Sequence, residues 1–126
     1  MKSGEQIKSL TDHLQQAILV VNKKGCVIYC NDSASQFWQK DSARILGRNI
    51  NEFFYLDEIL IEKIQEVFKS GIVFKMGNFV LQTSPLKQHG AEIVIAPVIV
   101  TSDKVKYVVI TMLESTNLHE NMEREF

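Results

Sequence analysis

Two cysteines, two prolines and three histidines in 126 residues leave little material for a disulfide framework, a metal centre or a nucleophilic triad. Cys26 and Cys30 stand four residues apart in one strand-like run, and neighbours along an extended strand do not readily bridge. Two thiols with no histidine close by fall short of a metal-ligand set, so they read as buried structural thiols. A nucleophile–base–orienter constellation needs a serine or cysteine with a histidine and a carboxylate. His13, His89 and His119 are scattered and supply none. Charge of one sign is not in excess either: 14 basic side chains face 15 acidic ones, a net charge of −1. The chain lacks the basic surplus of a nucleic-acid binder and the polybasic run of a membrane-surface anchor. Long hydrophobic runs are missing as well. The longest, such as residues 93–100, fall far short of the roughly 20 apolar residues of a spanning helix. Residues 1–14 are polar and amphipathic, unlike the apolar stretch of a signal peptide. From these absences a cytoplasmic location, with no nucleic-acid or membrane partner, is expected.

What is present fits one domain. The length is ordinary for a single folding unit. A hydrophobic share of 45% is ample for one core and too high for a disordered chain. Ile7, Leu10 and Leu14 recur at i, i+3 and i+7, one stripe of an amphipathic helix within residues 1–16. A β-branched apolar run over residues 17–21, a turn at Asn22-Lys23-Lys24-Gly25 and a second run over 26–30 read as a β-hairpin, with Gly25 able to take positive φ. Asn31 and Asp32 offer a helix cap, and Ala34, Phe37 and Trp38 follow at helical spacing. A short helix restarting at Asp41-Ser42 stops at Gly47, and a turn over 49–54 brings in Phe53 and Phe54.

The clearest helix spans 56–69. Leu56, Ile59, Leu60, Ile64, Val67 and Phe68 share one face, while Glu58, Glu62, Lys63, Glu66 and Lys69 lie mostly on the other and read as solvated. Residues 79–84, 91–100 and 105–113 are strand-like, separated by turns over 85–90 and 101–104. Pro97 removes one ladder donor and predicts an edge position, a bulge or a strand end. The tail, residues 116–126, resumes helical spacing through Leu118, Met122 and Phe126 without a stop signal, as expected for the start of a longer helix. Helices grouped apart from an antiparallel sheet make an α+β domain over residues 17–115.

Helix, two strands, several helices, three strands, helix is the order of PAS domains, and the local sequence is similar to them as well. Residues 18–21, the turn to Gly25, Val27-Ile28-Tyr29-Cys30-Asn31 and Ala34 resemble the first hairpin and the helix that follows it in that family. Gly47 stands where the family commonly has glycine. Ala96-Pro97-Val98, residues 107–113 and Glu114-Ser115-Thr116 resemble its C-terminal half, ending in an acidic-x-Thr junction that leads into a signalling helix. The resemblance implies a five-stranded antiparallel sheet with helices on one face, flanked by helices at both ends, with Gly25, Asn31 and Gly47 as fold-defining positions.

Within the family, the sequence is similar to the N-terminal PAS domains of nitrogen-regulation sensor histidine kinases, through Leu14-Gln15-Gln16-Ala17-Ile18-Leu19-Val20-Val21, Tyr29-Cys30-Asn31 and Met112-Leu113-Glu114. That likeness implies a two-component parent that phosphorylates its own histidine, acts on a response regulator and answers to a PII signalling protein. ATP and magnesium would belong to a kinase module outside these residues. His119 is followed by Glu120 but lacks the rest of a phosphoacceptor pattern and reads as a solvated helix residue.

No cofactor is expected in this chain. Oxygen-sensing relatives use a histidine on the long helix, and residues 56–69 contain none. Residues 47–54 look like the flavin motif of the light-sensing subclass, but Ile50 replaces the adduct-forming cysteine. An alkyl group cannot act as the nucleophile, so covalent flavin chemistry is excluded, while a small-ligand or non-covalent flavin sensor stays open as the alternative. The expected output is mechanical. Ile7, Leu10, Leu14 and Ile28 are expected at a homodimer interface, and Glu114, Thr116, Leu118 and Met122 along the path of signal transfer. The same likeness places Val27 and Tyr29 inward, and strand alternation then sends Cys26, Ile28 and Cys30 outward.

Overall fold

The computed structural model describes residues 16–53, 58–84, 86–99 and 104–114. Strand β1 (Ala17–Asn22) alternates cleanly, with Ala17, Leu19 and Val21 buried and the residues between them half-buried. The turn that follows is built by a side chain: Asn22 Oδ1 accepts from the backbone N–H groups of Lys24 and Cys26, both at 3.0 Å. Gly25 completes it at φ +83°. A Cβ there would sit 3.4 Å from the Asn49 amide, an ordinary contact, so the constraint on this position is backbone conformation and not space. Gly25→Ala is therefore expected to lower stability by about 1–2 kcal/mol, read as a reduced urea midpoint at unchanged m-value.

Strand β2 (Val27–Cys30) leads into helix α1 (Asp32–Trp38), with Asn31 at its N-cap. Helix α2 (Ser42–Ile45) is a single turn, and Gly47 just beyond it takes φ +80°. A 3-10 turn (Ile50–Glu52) follows, capped by the Asn49 side chain. Helix α3 (Glu58–Ser70) buries Leu60, Ile64 and Val67. Strands β3 (Phe74–Ser84), β4 (Lys87–Ile99) and β5 (Val105–Glu114) complete the described fold. No described helix is long and apolar enough to cross a membrane.

The five strands form one antiparallel sheet in the order β2-β1-β5-β4-β3. The helices pack on one face, and the core lies between: Leu19, Val21, Ile93, Ile95 and Ile110 from the sheet meet Trp38, Ile45, Leu60 and Ile64 from the helices. The outer edge of β2 is occupied by the chain segment after α2. Val27 N–H donates to Arg48 O at 2.9 Å, and Gly47 N–H donates to Val27 O at 2.7 Å.

Two expectations are corrected. First, residues 87–90, expected as part of a turn, are strand. β3 begins at Phe74 and β4 at Lys87, so His89 lies in a strand, paired with Leu81. Two long paired strands, despite register shifts after Met76 and Gln82, continue each other's hydrogen bonding past the point where hydrophobic alternation fades. Second, Tyr29 does not point inward, nor Cys30 outward. β2 pairs Val21 with Val27 but Val20 with Tyr29 and Leu19 with Cys30, so Ile28 is the extra residue of a β-bulge. One extra residue exchanges the faces of everything beyond it. Val27 and Ile28 keep their expected inward and outward positions, Cys30 joins the core at 5% exposure, and Tyr29 shares the outer face with Val20. Pro97 meets its expectation: it lies on an inner strand but close to the end of β4, where the missing ladder donor is tolerated. β3 pairing stops at Ile95, and a register shift falls between Val98 and Ile99.

Candidate functional site

The sheet face opposite the helices is largely apolar over β2, β1, β5 and β4. Tyr29, Val20, Val109 and Ala96 lie side by side on β2, β1, β5 and β4, and Ile18, Thr111, Val94 and Lys75 form the next row. All but the exposed Lys75 are half-buried. Cross-strand neighbours of this kind hold the register by side-chain contact, and the same apolar row is suited to a second layer. Ile28 is 45% exposed at the β2 margin of this sheet.

The ends of the two central strands meet at one place. Ala17 pairs with Met112, so the chain comes into β1 directly beside the point where it leaves β5. Adjacent strands lie about 4.8 Å apart. Asn31 clamps that place. Its Oδ1 accepts from Ala34 N–H at 2.9 Å and Ile18 N–H at 3.0 Å, and its Nδ2 donates to Gln16 O at 2.9 Å. The Asn31 backbone N–H also reaches Ile18 O, at 3.2 Å. At 1% exposure it is the buried polar residue of the described core. One side chain thus ties the start of α1 to the incoming end of β1.

A PAS domain profile matches residues 15–117. The chain belongs to the PAS domain family. Solved PAS structures share its fold. The PAS domain of nitrogen regulation protein NR(II) from Vibrio parahaemolyticus superposes with a TM-score of 0.69 at 14% identity, over 86% of this chain and 96% of that one. A PAS domain from a two-component sensor histidine kinase gives a TM-score of 0.66 at 14% identity, over 90% and 96% of the two chains. The LOV protein of Rhodobacter sphaeroides gives 0.70 at 19%, over 90% and 66%. None of the curated proteins matches the sequence. A PAS domain is a sensory module and not a catalytic one.

Of the interface and signal positions expected in this PAS domain, Ile28 and Glu114 are described, and Glu114 is exposed at the end of β5. Ile7, Leu10, Leu14, Thr116, Leu118 and Met122, with the helices expected on either side of the domain, lie outside the described residues. Sequence reasoning missed Tyr29, Val20, Val94 and Val109 as members of one surface. Alternation within β1 and β5 was a usable signal, but which rows lie side by side depends on register. It gave Asn31 as a helix cap and a fold-defining position but missed its bond to Gln16 O, which spans 15 residues.

Trp38 and Phe53 are core: Trp38 Nε1 donates to Phe53 O at 2.9 Å, and the two rings meet edge to face at 5.9 Å. Ile50, at the position of the light-sensing cysteine, is 3% exposed and faces Gly25. A cleft of about 270 Å³ runs beside α3 between Asn51, Ile61 and Gln65, with Glu58 and Glu62 at its margin. A smaller one of about 90 Å³ adjoins it under Lys24 and Asn49. Among the described residues no group of three or more histidine, cysteine or acidic side chains could hold a metal ion.

Proposed function

We propose that this PAS domain is the regulatory and dimerisation module of a cytoplasmic two-component sensor histidine kinase of the nitrogen-regulation type. It forms a homodimer and transmits conformational change to a downstream kinase and phosphatase module. The observation that carries the reading is the pairing of Ala17 with Met112, which sets the incoming and outgoing chain side by side under the Asn31 clamp. Any shift of β1 against β5 moves both flanking segments together, and two packings of the sheet that differ in contacts provide the two states a switch needs. The fold shared with NR(II) and with a histidine-kinase PAS domain supports this assignment. By the same likeness, ATP and magnesium act in the kinase module, a response regulator receives the phosphoryl group, and a PII protein modulates the balance.

The outer face supplies the dimer surface. Val109→Asp places a charge in the centre of the apolar row and is expected to weaken self-association at least about tenfold, or ~1.4 kcal/mol, in sedimentation of the 126-residue chain. A wild-type chain that sediments as a monomer at every concentration would overturn this reading. In the full-length parent, polar replacements at Leu118 and Met122 should change the ratio of autophosphorylation to phosphatase activity.

A small-ligand or non-covalent flavin sensor is the second reading, favoured by the cleft beside α3 and the fold shared with the LOV protein. An absorbance spectrum and native mass spectrometry of the purified chain decide it. A colourless protein at its apo mass rules it out.

A further inference from the structure

Lys40, Arg44, Arg48 and Glu52 recur every four residues, yet no helix connects them. The chain turns at Gln39, with φ 54°, and again at Gly47, with φ 80°, so the four side chains come from the end of α1, from α2, from the segment beside β2 and from the 3-10 turn. They nevertheless line one cleft of about 360 Å³, together with Phe53.

Each backbone is held in place. Lys40 N–H donates to Ser35 O at 3.0 Å, Arg44 N–H to Asp41 O at 2.8 Å, Arg48 N–H to Ile45 O at 3.1 Å and Glu52 N–H to Asn49 O at 3.0 Å. Arg48 O also accepts from Val27 N–H at 2.9 Å, which anchors that residue to the sheet. The Lys40 ammonium stands 5.4 Å from the centre of the Phe53 ring. Among the described residues no salt bridge neutralises these charges. The salt bridge formed among the described residues is Lys63–Glu66, on α3, and none joins Arg44, Arg48 or Glu52. Three cations against one carboxylate leave a formal charge of +2 around the cleft.

We propose that this cleft binds a small polyanion carrying at least two negative charges, a di- or tricarboxylate or a phosphate ester. Its volume lies within the roughly 300–1,000 Å³ of small-molecule sites. Two guanidinium forks suit carboxylate and phosphate oxygens, which they can engage in pairs. A fixed backbone lowers the ordering needed on binding. Glu52 sets the charge requirement: it offsets one cation, so a monoanion gains little and a dianion meets the remaining excess. The site lies on the helical side of the domain, away from the outer sheet face, and does not rest on the dimerisation reading.

The test is an amide chemical-shift titration of the isotope-labelled 126-residue chain with inorganic phosphate and with citrate, against sodium chloride at matched ionic strength. Saturable shifts confined to residues 40–53 are expected. Arg44→Gln and Arg48→Gln should each weaken binding about tenfold, as for loss of a charge-assisted hydrogen bond. Glu52→Gln should tighten it. Lys69→Gln, an equal change of charge on exposed α3, should leave it unaltered. Arg44, Arg48 and Glu52 are exposed, so the variants are expected to keep the wild-type melting temperature. Shifts that follow ionic strength alone, or a Lys69→Gln effect equal to that of Arg44→Gln, would refute the proposal.

Discussion

Trp38→Ala is expected to lower the free energy of unfolding by about 3–5 kcal/mol, a large part of the total for a domain of this size. Trp38 is 4% exposed at the end of α1, with Phe37 against one side at 4.9 Å between ring centres and Phe53 against another. Removing the indole empties the space between α1 and the 3-10 turn and takes away the donor to Phe53 O. Trp38→Phe separates the two effects. It retains most of the apolar contact and removes the N–H, so it should cost about 1–3 kcal/mol, the range for a buried acceptor that loses its partner. Urea unfolding followed by far-ultraviolet circular dichroism checks both, since tryptophan fluorescence disappears with either change. A loss below about 1 kcal/mol for Trp38→Ala would contradict the packing described.

Asn31→Ala should be nearly as damaging, by about 2–4 kcal/mol, because it removes an N-cap and leaves the part-buried Ile18 N–H and Gln16 O, at the start of β1, without this partner. The three side-chain bonds serve different places: Ala34 N–H in α1, Ile18 N–H in β1, and Gln16 O where the chain comes into the sheet. Asn31→Asp retains an acceptor for the first two but turns a carboxylate toward the Gln16 carbonyl, so its loss should be concentrated at the start of β1. Hydrogen exchange separates the variants. Asn31→Ala is expected to speed exchange at both Ile18 and Ala34, while Asn31→Asp should leave Ala34 nearly as protected as in wild type. Equal protection in all three proteins would show that the clamp does not hold the strand. Under the proposed regulatory reading, in which β1 relays change to the flanking chain, Asn31→Asp in the proposed parent kinase should also alter its output more than the stability loss explains.

Much of the fold was readable along the chain because its determinants are local. Asn22 and Gly25 build a turn within four residues, Asn31 caps a helix three residues ahead, and the apolar stripe of Leu60, Ile64 and Val67 repeats within α3. The absence of a histidine in residues 56–69 and the alkyl side chain of Ile50 are likewise facts of sequence. Such features depend on neighbours a few residues away, where the 3.6- and two-residue periods and the preferences of turn residues act.

Tertiary structure alone decided what those elements do together. A single extra residue, Ile28, placed Tyr29 outward and Cys30 inward, and strand alternation read in isolation cannot detect a bulge whose evidence is the partner strand's register. The same holds for the apolar outer rows, for the meeting of Ala17 with Met112, and for the convergence of Lys40, Arg44 and Arg48 on one cleft. Each is a contact or a shared surface that chain spacing does not set, since even the four-residue repeat of Lys40, Arg44 and Arg48 runs through no single helix, so the sequence determined the scaffold, and tertiary packing decided where its surfaces and its site lie.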